Sequence, residues 1–289
     1  MSHQTIKECP VCGAPPDATV PYHRTGYLVC LECNLVLTDR SLDTDAIAHH
    51  YESVDPVNDV SQSRLDIYRR FLKSAQTRLG HAKKLLDVGC GSGAFIDLAG
   101  KMGWQSYGVE PVETLAGEAR RCGLNVATGI LDQMPREWGP FDLITYWDSF
   151  MLVENPAEEM GRILTHLEED GWIFLRLRQH GFQRLLYRCW KVCGHPLRLP
   201  DPSVYHPYNF FPGTIKKLAG RFNMSAGISN APYTAGDPYS TMRQEKLVVI
   251  LKWFSDFTAR AAYAISRGKW IASPGMDIWL HRRNTYDTG

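Results

Sequence analysis

Four of the eight cysteines fall within the first 33 residues, as Cys9-Pro-Val-Cys12 and Cys30-Leu-Glu-Cys33. Two CxxC pairs with 17 residues between them have the spacing of a zinc ribbon. Each pair can fold as a tight knuckle, the first relieved by Gly13, and two knuckles offer four thiolates to a tetrahedral ion. Four protein ligands leave no open coordination position, so the expected zinc is structural. Redox use of these pairs is disfavoured, because no βαβ pattern surrounds them. A ribbon can grip nucleic acid, but residues 1–45 hold three basic and six acidic side chains, the wrong balance for phosphate.

A second group begins after Lys84. Leu85-Leu86-Asp87-Val88 reads as a short buried strand, Gly89-Cys90-Gly91-Ser92-Gly93 as a tight loop, and Ala94-Phe95-Ile96-Asp97-Leu98 as the start of a helix. Strand, glycine loop and helix make a nucleotide-binding turn: the glycines let backbone approach a ligand, and the helix N-terminus points at it. The next strand, Gln105 to Val109, ends in Glu110, 17 residues after Gly93. A carboxylate there can accept both hydroxyls of a ribose, so the pair fits adenosine. The loop lacks the GxGxxG spacing of a dinucleotide site.

On Leu85-Leu86-Asp87-Val88-Gly89-Cys90-Gly91-Ser92-Gly93 and Tyr107-Gly108-Val109-Glu110-Pro111, the sequence resembles the class I S-adenosylmethionine-dependent methyltransferases. Phe141 to Asp148 is similar to their fourth strand, and Leu167 to Ile173 to the turn into their fifth. The cysteine-bearing start, with Tyr27 to Leu37 and then Tyr51, resembles a bacterial subgroup that joins a zinc ribbon to a methyltransferase acting on sugars, lipids or other small metabolites. The resemblance implies a Rossmann-like, doubly wound α/β sheet. It also implies that Asp87, Gly89, Gly91 and Gly93 shape the pocket of the methionyl part, and that Glu110 holds the ribose with Pro111 beside the adenine. Ile130 and Leu131 would flank the adenine, and Trp147 and Asp148 would face the reaction centre. Asp142 starts its strand at the opposite end.

Methyl transfer needs alignment and desolvation, and an alcohol acceptor needs a general base as well. Many relatives carry Glu-His shortly after the position matching Asp148, where this chain has Phe150-Met151-Leu152, which cannot take a proton. His206, matching a family histidine ahead of Phe210-Phe211-Pro212, is the leading candidate, with His180 and Asp148 as alternatives. Cys90 and Cys122 read as small buried apolar residues.

Three stretches must position these groups. Residues 1–40 form the ribbon, 41–80 a helical linker or lid, and 81–289 the catalytic domain with a helical cap after the fifth strand. In the linker, His49 and His50 point to different sides of a helix, while Ile67, Phe71 and Leu72 make one apolar face. Between 171 and 200 lie Arg176, Arg178, Arg184, Arg188, Lys191 and Arg198 without an acidic residue. There Phe182, Leu185, Leu186, Cys189, Trp190 and Cys193 recur at helical spacing. Such a basic amphipathic helix can pack on its own domain, cover a cleft or lie on an anionic membrane. A second amphipathic stretch runs from Glu245 to Arg267, with Trp253, Phe254, Phe257 and Tyr263.

Composition bounds the rest. The 289 residues are 44% hydrophobic and 22% charged, which excludes a disordered or fibrous chain. The formal net charge is +1, yet residues 1–170 carry 15 basic and 25 acidic side chains and residues 171–289 carry 17 and 6. That asymmetry suggests an anionic partner for the basic part. Met1 to Cys12 has no signal-peptide core, and no apolar run reaches the length of a membrane span, so a cytoplasmic enzyme with reduced thiols is expected. The favoured activity is methyl transfer to an oxygen of a small, saccharide-like or lipid-linked acceptor, anionic in the reading that uses the basic segment. Peripheral membrane contact and oligomeric state stay open. The alternatives are an RNA base methyltransferase gripping RNA by its ribbon, against the acidic balance above, and a non-catalytic module that binds S-adenosylmethionine.

Overall fold

The computed structural model describes residues 8–22, 26–38, 60–81, 83–194, 196, 206–231 and 257–283. His49 and His50, Arg198, and Trp253 and Phe254 of the second amphipathic stretch lie outside them.

Short apolar runs buried on both faces build parallel strands. They are β4 (Lys84–Val88), β5 (Gln105–Glu110), β6 (Asn125–Thr128), β7 (Phe141–Trp147) and β8 (Leu167–Arg178). With β10 (Met224–Asn230) and β11 (Gly275–Arg282) they form one seven-stranded sheet, order β10-β11-β8-β7-β4-β5-β6. In this sheet β11 is the antiparallel strand, pairing with β10 on one side and with β8 on the other, from Gly275↔Arg178 to His281↔Trp172. The strand order reverses at β4, which opens a crevice at the C-terminal ends of β4 and β7, the place where such sheets bind ligands.

The alternation along β7 assigns its side chains to two cores. Leu143 and Trp147 join a cluster under α1 (Gln62–Leu79) and α2 (Ala94–Lys101), with Ile67, Phe71, Leu72 and Phe95. Ile144 and Tyr146 join the opposite cluster, which contains the ribbon. Helix α1 starts where the Ser61 hydroxyl accepts from Arg64 N and stops at Gly80, at φ +84°. Helices α3 (Glu113–Arg121), α4 (Pro156–His166), α5 (His180–Cys189) and α6 (Pro212–Arg221) complete the layers. Asn155 caps α4 and Gln179 caps α5, each accepting backbone N–H bonds.

In the ribbon, both knuckles turn through a left-handed residue, Gly13 at φ +73° and Asn34 at φ +60°. Strands β1 (Thr19–Pro21), β2 (Tyr27–Cys30) and β3 (Val36–Thr38) form a sheet whose fourth strand, β9 (Tyr208–Asn209), belongs to the far end of the chain. The junction is otherwise polar at its edges. Thr214 Oγ1 donates to Cys33 O (2.7 Å), Ala157 N to Pro10 O (3.1 Å), Arg221 to Val11 O (3.3 Å) and Lys217 Nζ to Glu32 O. Cys9, Val11, Leu35 and Leu37 share one continuous core with Phe150, Met151, Phe210 and Ile215.

Asn209 is the pin of this junction. Its Nδ2 donates to Val36 O (3.3 Å) and His206 O (2.6 Å), and its Oδ1 accepts from His206 N (3.0 Å). Buried carbonyls left without a donor are costly, so Asn209→Ala is expected to lower unfolding free energy by about 2–4 kcal/mol. Equilibrium denaturation checks this; a loss within error of zero would mean that β9 is held by packing alone.

Candidate functional site

The loop from Gly89 to Gly93 is fastened to the end of β5. Gly89 N and Cys90 N both donate to Val109 O, at 2.8 and 3.2 Å. Glu110 closes the arrangement: its Oε2 accepts from Gly91 N (2.8 Å) and its Oε1 from Val112 N (3.0 Å). Burial pushes the Glu110 carboxyl above its usual range, against these two N–H donors. Two of the loop glycines are required for different reasons. A Cβ on Gly93 would sit 2.5 Å from Leu124 Cδ1, so this glycine serves packing. Gly91, at φ +56°, faces open space, where a Cβ would meet nothing within 4 Å. An open backbone edge beside a carboxylate is the cradle a ribose-bearing ligand needs.

Of the other residues the sequence singled out, Asp87 lies beneath this cradle. It is fully buried, accepts from Thr145 Oγ1 at 2.7 Å, and is pushed up to about 7 by burial. Pro111 is exposed next to Glu110. Ile130 is 47% exposed and can flank a planar ligand. The Leu131 side chain does not join it, because it points into the core and is fully buried. Trp147 differs from expectation in a similar way. Its ring is packed edge-on against Tyr68 and Phe71, beside Phe95 and Phe174, so no face lines an open pocket. Its indole Nε1 is buried without a partner among the described residues. Cys90 is buried as expected, whereas Cys122, at the exposed end of α3, is not.

Asp148 follows Trp147 in the left-handed region, at φ +60°, a strained placement for a residue with a Cβ. Arg64 of α1 reaches it, Nη2 to Oδ2 at 3.0 Å, while Arg64 Nε donates to Tyr68 Oη at 3.0 Å. Burial raises the Asp148 carboxyl, but Arg64, helped by Arg176 and Arg178, outweighs it and holds the group below the usual carboxylate range. Asp148 is therefore an ionised carboxylate at neutral pH, already paired with Arg64. Sequence reading missed Arg64. The available signal was its place on the apolar stripe of α1, in step with Ile67, Tyr68, Phe71 and Ala75, all buried.

The two histidines are separately placed. His180, at the start of α5, is buried; its Nε2 meets Tyr22 Oη of the ribbon at 3.0 Å, and its ring stands edge-on to Phe211 at 5.0 Å. Burial raises Tyr22 to about 12 despite Arg184 and Arg188 nearby. His206 lies just before β9. Burial, and then the Arg178 guanidinium, pull it down to about 4, against the opposing pull of Asp148. Its Nε2 is buried and has no hydrogen-bond partner among the described residues. His206 is thus a neutral imidazole with an unengaged ring nitrogen, within electrostatic reach of Asp148 and Arg178.

The four ribbon cysteines converge. All four Sγ atoms lie within 4.8 Å of one another, with Cys9–Cys33 at 3.6 Å and Cys12–Cys30 at 3.7 Å. Tetrahedral zinc with Zn–S bonds of about 2.3 Å requires S···S separations of about 3.8 Å, so the set fits that ion.

The sheet order, the cradle at the strand reversal and the antiparallel β10–β11 pair define the class I S-adenosylmethionine-dependent methyltransferase fold. A family model described as a methyltransferase domain matches residues 61–219, more than half of the chain, which therefore belongs to that family. A protein of Geobacillus sp. (strain WCH70) named as a methyltransferase is 24% identical over 241 residues, covering 75% of this chain and 93% of its own. The crystal structure of the plantazolicin methyltransferase BpumL with SAH and a pentazolic desmethylPZN analog superposes with a TM-score of 0.52 at 16% identity, covering 84% of this chain and 92% of its own. An S-adenosylmethionine-dependent methyltransferase from Clostridium acetobutylicum ATCC 824 gives a TM-score of 0.50 at 13% identity, covering 83% and 99%. At these identities the structures establish the fold.

Asp87 yields a pH prediction. Its folded value, about 7, lies above the unfolded value of about 3.9. Its contribution is therefore fully present below about pH 4 and is lost as pH rises through about 7. Asp87→Asn removes this loss. In ligand-free protein, the variant's Tm relative to the parent should rise between pH 5 and 8 and then level off. A difference that stays constant across that range would show that the buried carboxyl does not titrate near neutrality.

Proposed function

We propose that this methyltransferase transfers the methyl group of S-adenosylmethionine to an oxygen of a small, saccharide-like or lipid-linked acceptor. The observation that carries the choice of oxygen is the neutral imidazole of His206, whose buried Nε2 is not engaged by any described residue. A hydroxyl is too weak a nucleophile without a proton acceptor, and an imidazole supplies one. The bound cofactor supplies a methyl group already activated on a cationic sulfur. The chain does the rest. Glu110, with Gly91 beside it, holds the ribose; Pro111 and Ile130 border the adenine; Asp87 and the glycine loop shape the methionyl end. His206 receives the acceptor's proton at Nε2. Asp148, kept ionised by Arg64, orients the end of β7, and Arg178 sets the local field.

The ribbon, residues 1–40, serves as a wall of this catalytic unit, with a structural zinc on Cys9, Cys12, Cys30 and Cys33. Residues 41–80 connect it to the catalytic part, 81–289. The extensive ribbon junction supports that role: β9 pairs with β3, and His206 immediately precedes β9.

Three measurements test the reading. Isothermal calorimetry with S-adenosylmethionine should show Glu110→Ala binding at least about tenfold more weakly, from the loss of charge-assisted hydrogen bonds; unchanged affinity would reject the ribose assignment. With an acceptor found by incubating saccharide and lipid extracts with methyl-labelled cofactor, His206→Asn should lower kcat by about 10²–10⁴-fold with cofactor affinity intact. A variant as fast as the parent would remove His206 as base. Chelation of zinc, or Cys30→Ser, should release metal and lower the Tm of the whole chain in one transition, because the cysteines share the catalytic core. Native protein free of zinc by metal analysis would refute the site.

A further inference from the structure

Among the described residues, only part of the basic character of the chain's second part is consumed internally. Arg176 is: it forks onto Asp277 across β8 and β11, with both bonds at 2.7 Å. Arg178 faces Asp148 and His206. The remaining cations behave differently. Residues 179–194, which hold α5 and the π turn Trp190–Gly194, carry Arg184, Arg188 and Lys191; residues 257–275, helical over 257–265, carry Arg260, Arg267 and Lys269. Neither segment contains an acidic residue, and none of these six cations forms an ion pair among the described residues. Among the described residues, none of the six is paired with the acidic surface of residues 1–170.

The same two segments expose apolar side chains. Leu185 is 56% exposed, Val192 74%, Ile265 80% and Trp270 64%. On α5 it is His180 and Gln183 that turn fully inward, while on the apolar side Leu185 and Cys189 are exposed and Phe182 and Leu186 half-buried. Both segments spring from one edge of the sheet. Gln179, which caps α5, donates from its backbone N to Pro274 O (2.9 Å) and from Nε2 to Ile271 O (3.1 Å), and Gly275 pairs with Arg178. This is the edge where β8 ends, beside the proposed acceptor site.

We propose that this face docks on an anionic lipid bilayer. Unpaired cations give attraction to acidic headgroups, and adjacent exposed aliphatic and indole groups give shallow insertion, the combination that holds amphipathic segments in an interface. An isolated apolar patch would suit a second copy of the chain, but the exposed like charges of Arg188, Lys191, Arg260, Arg267 and Lys269 would repel that copy and attract an anionic surface. Docking here turns the acceptor edge towards the membrane, which suits a lipid-linked acceptor; the docking itself does not depend on the methyl-transfer reading.

The test is co-sedimentation of the full chain with vesicles of phosphatidylcholine and phosphatidylglycerol in equal parts, and with pure phosphatidylcholine. The chain should partition onto the mixed vesicles, at least tenfold less onto neutral ones, and progressively less as salt rises. Arg188→Glu with Lys191→Glu should lower partitioning at least tenfold, and Val192→Asp with Trp270→Ser should lower it independently. All four positions are exposed, so circular dichroism should show an unchanged fold. Absence of partitioning onto the mixed vesicles overturns the proposal. So does equal partitioning onto both vesicle types, a dimer in sedimentation velocity that Val192→Asp dissolves, or salt-sensitive binding of RNA without vesicle binding. Cofactor affinity by calorimetry is unaffected in every case, so failure of docking is distinguishable from failure of the catalytic reading.

Discussion

The segment from His206 to Phe211 is held on both sides, and the rest of the site depends on that. Tyr208 and Asn209 extend the ribbon sheet by pairing with Leu37 and Val36. One residue later, Phe210 bridges to Gln179 at the end of β8, and Phe210 O accepts from His180 N at 3.0 Å. Asn209 satisfies three backbone groups with one amide and so fixes where His206 stands. A cysteine-rich module and a parallel sheet thereby share one core, and a change in the ribbon is transmitted to the histidine through backbone bonds.

Three carboxylates at the strand ends are handled in three ways. Glu110 has two backbone N–H donors, Asp87 a threonine hydroxyl, and Asp148 an arginine. The charge each can sustain follows. Backbone donors do not overcome the burial of Glu110, a hydroxyl leaves Asp87 near neutrality, and three guanidinium groups keep Asp148 ionised. Negative charge in the crevice complements a cationic cofactor, while the guanidinium groups of Arg64, Arg176 and Arg178 sit on the β7–β8 side.

The family match and the fold agree on methyl transfer, and neither specifies an acceptor. A methyltransferase fold leaves specificity to what covers the crevice. Near the C-terminal end of β8 this chain places the ribbon strand paired to β9, α5 with its π turn, and the segment leading into β11. They bring a neutral imidazole, exposed apolar side chains and cations without an ion pair among the described residues to one end of the sheet.

The sequence by itself determined the features whose partners are close along the chain. The cysteine knuckles, the glycine loop running from strand to helix, and the acidic end of β5 are read from contiguous residue types, because turn geometry and helix N-termini are local. The apolar face of Ile67, Phe71 and Leu72 was legible for the same reason, since helical period alone puts these residues on one side. The tertiary structure decided what depends on distant segments. Arg64 meets Asp148 across 84 positions, Tyr22 meets His180 across 158, and Asn209 meets Val36 across 173. It also turned Leu131 and the Trp147 ring into the core, and left Cys122 and, on the apolar side of α5, Leu185 and Cys189 exposed. Periodicity tells which residues share a side of an element, but only the packing of other elements decides whether that side meets protein or solvent.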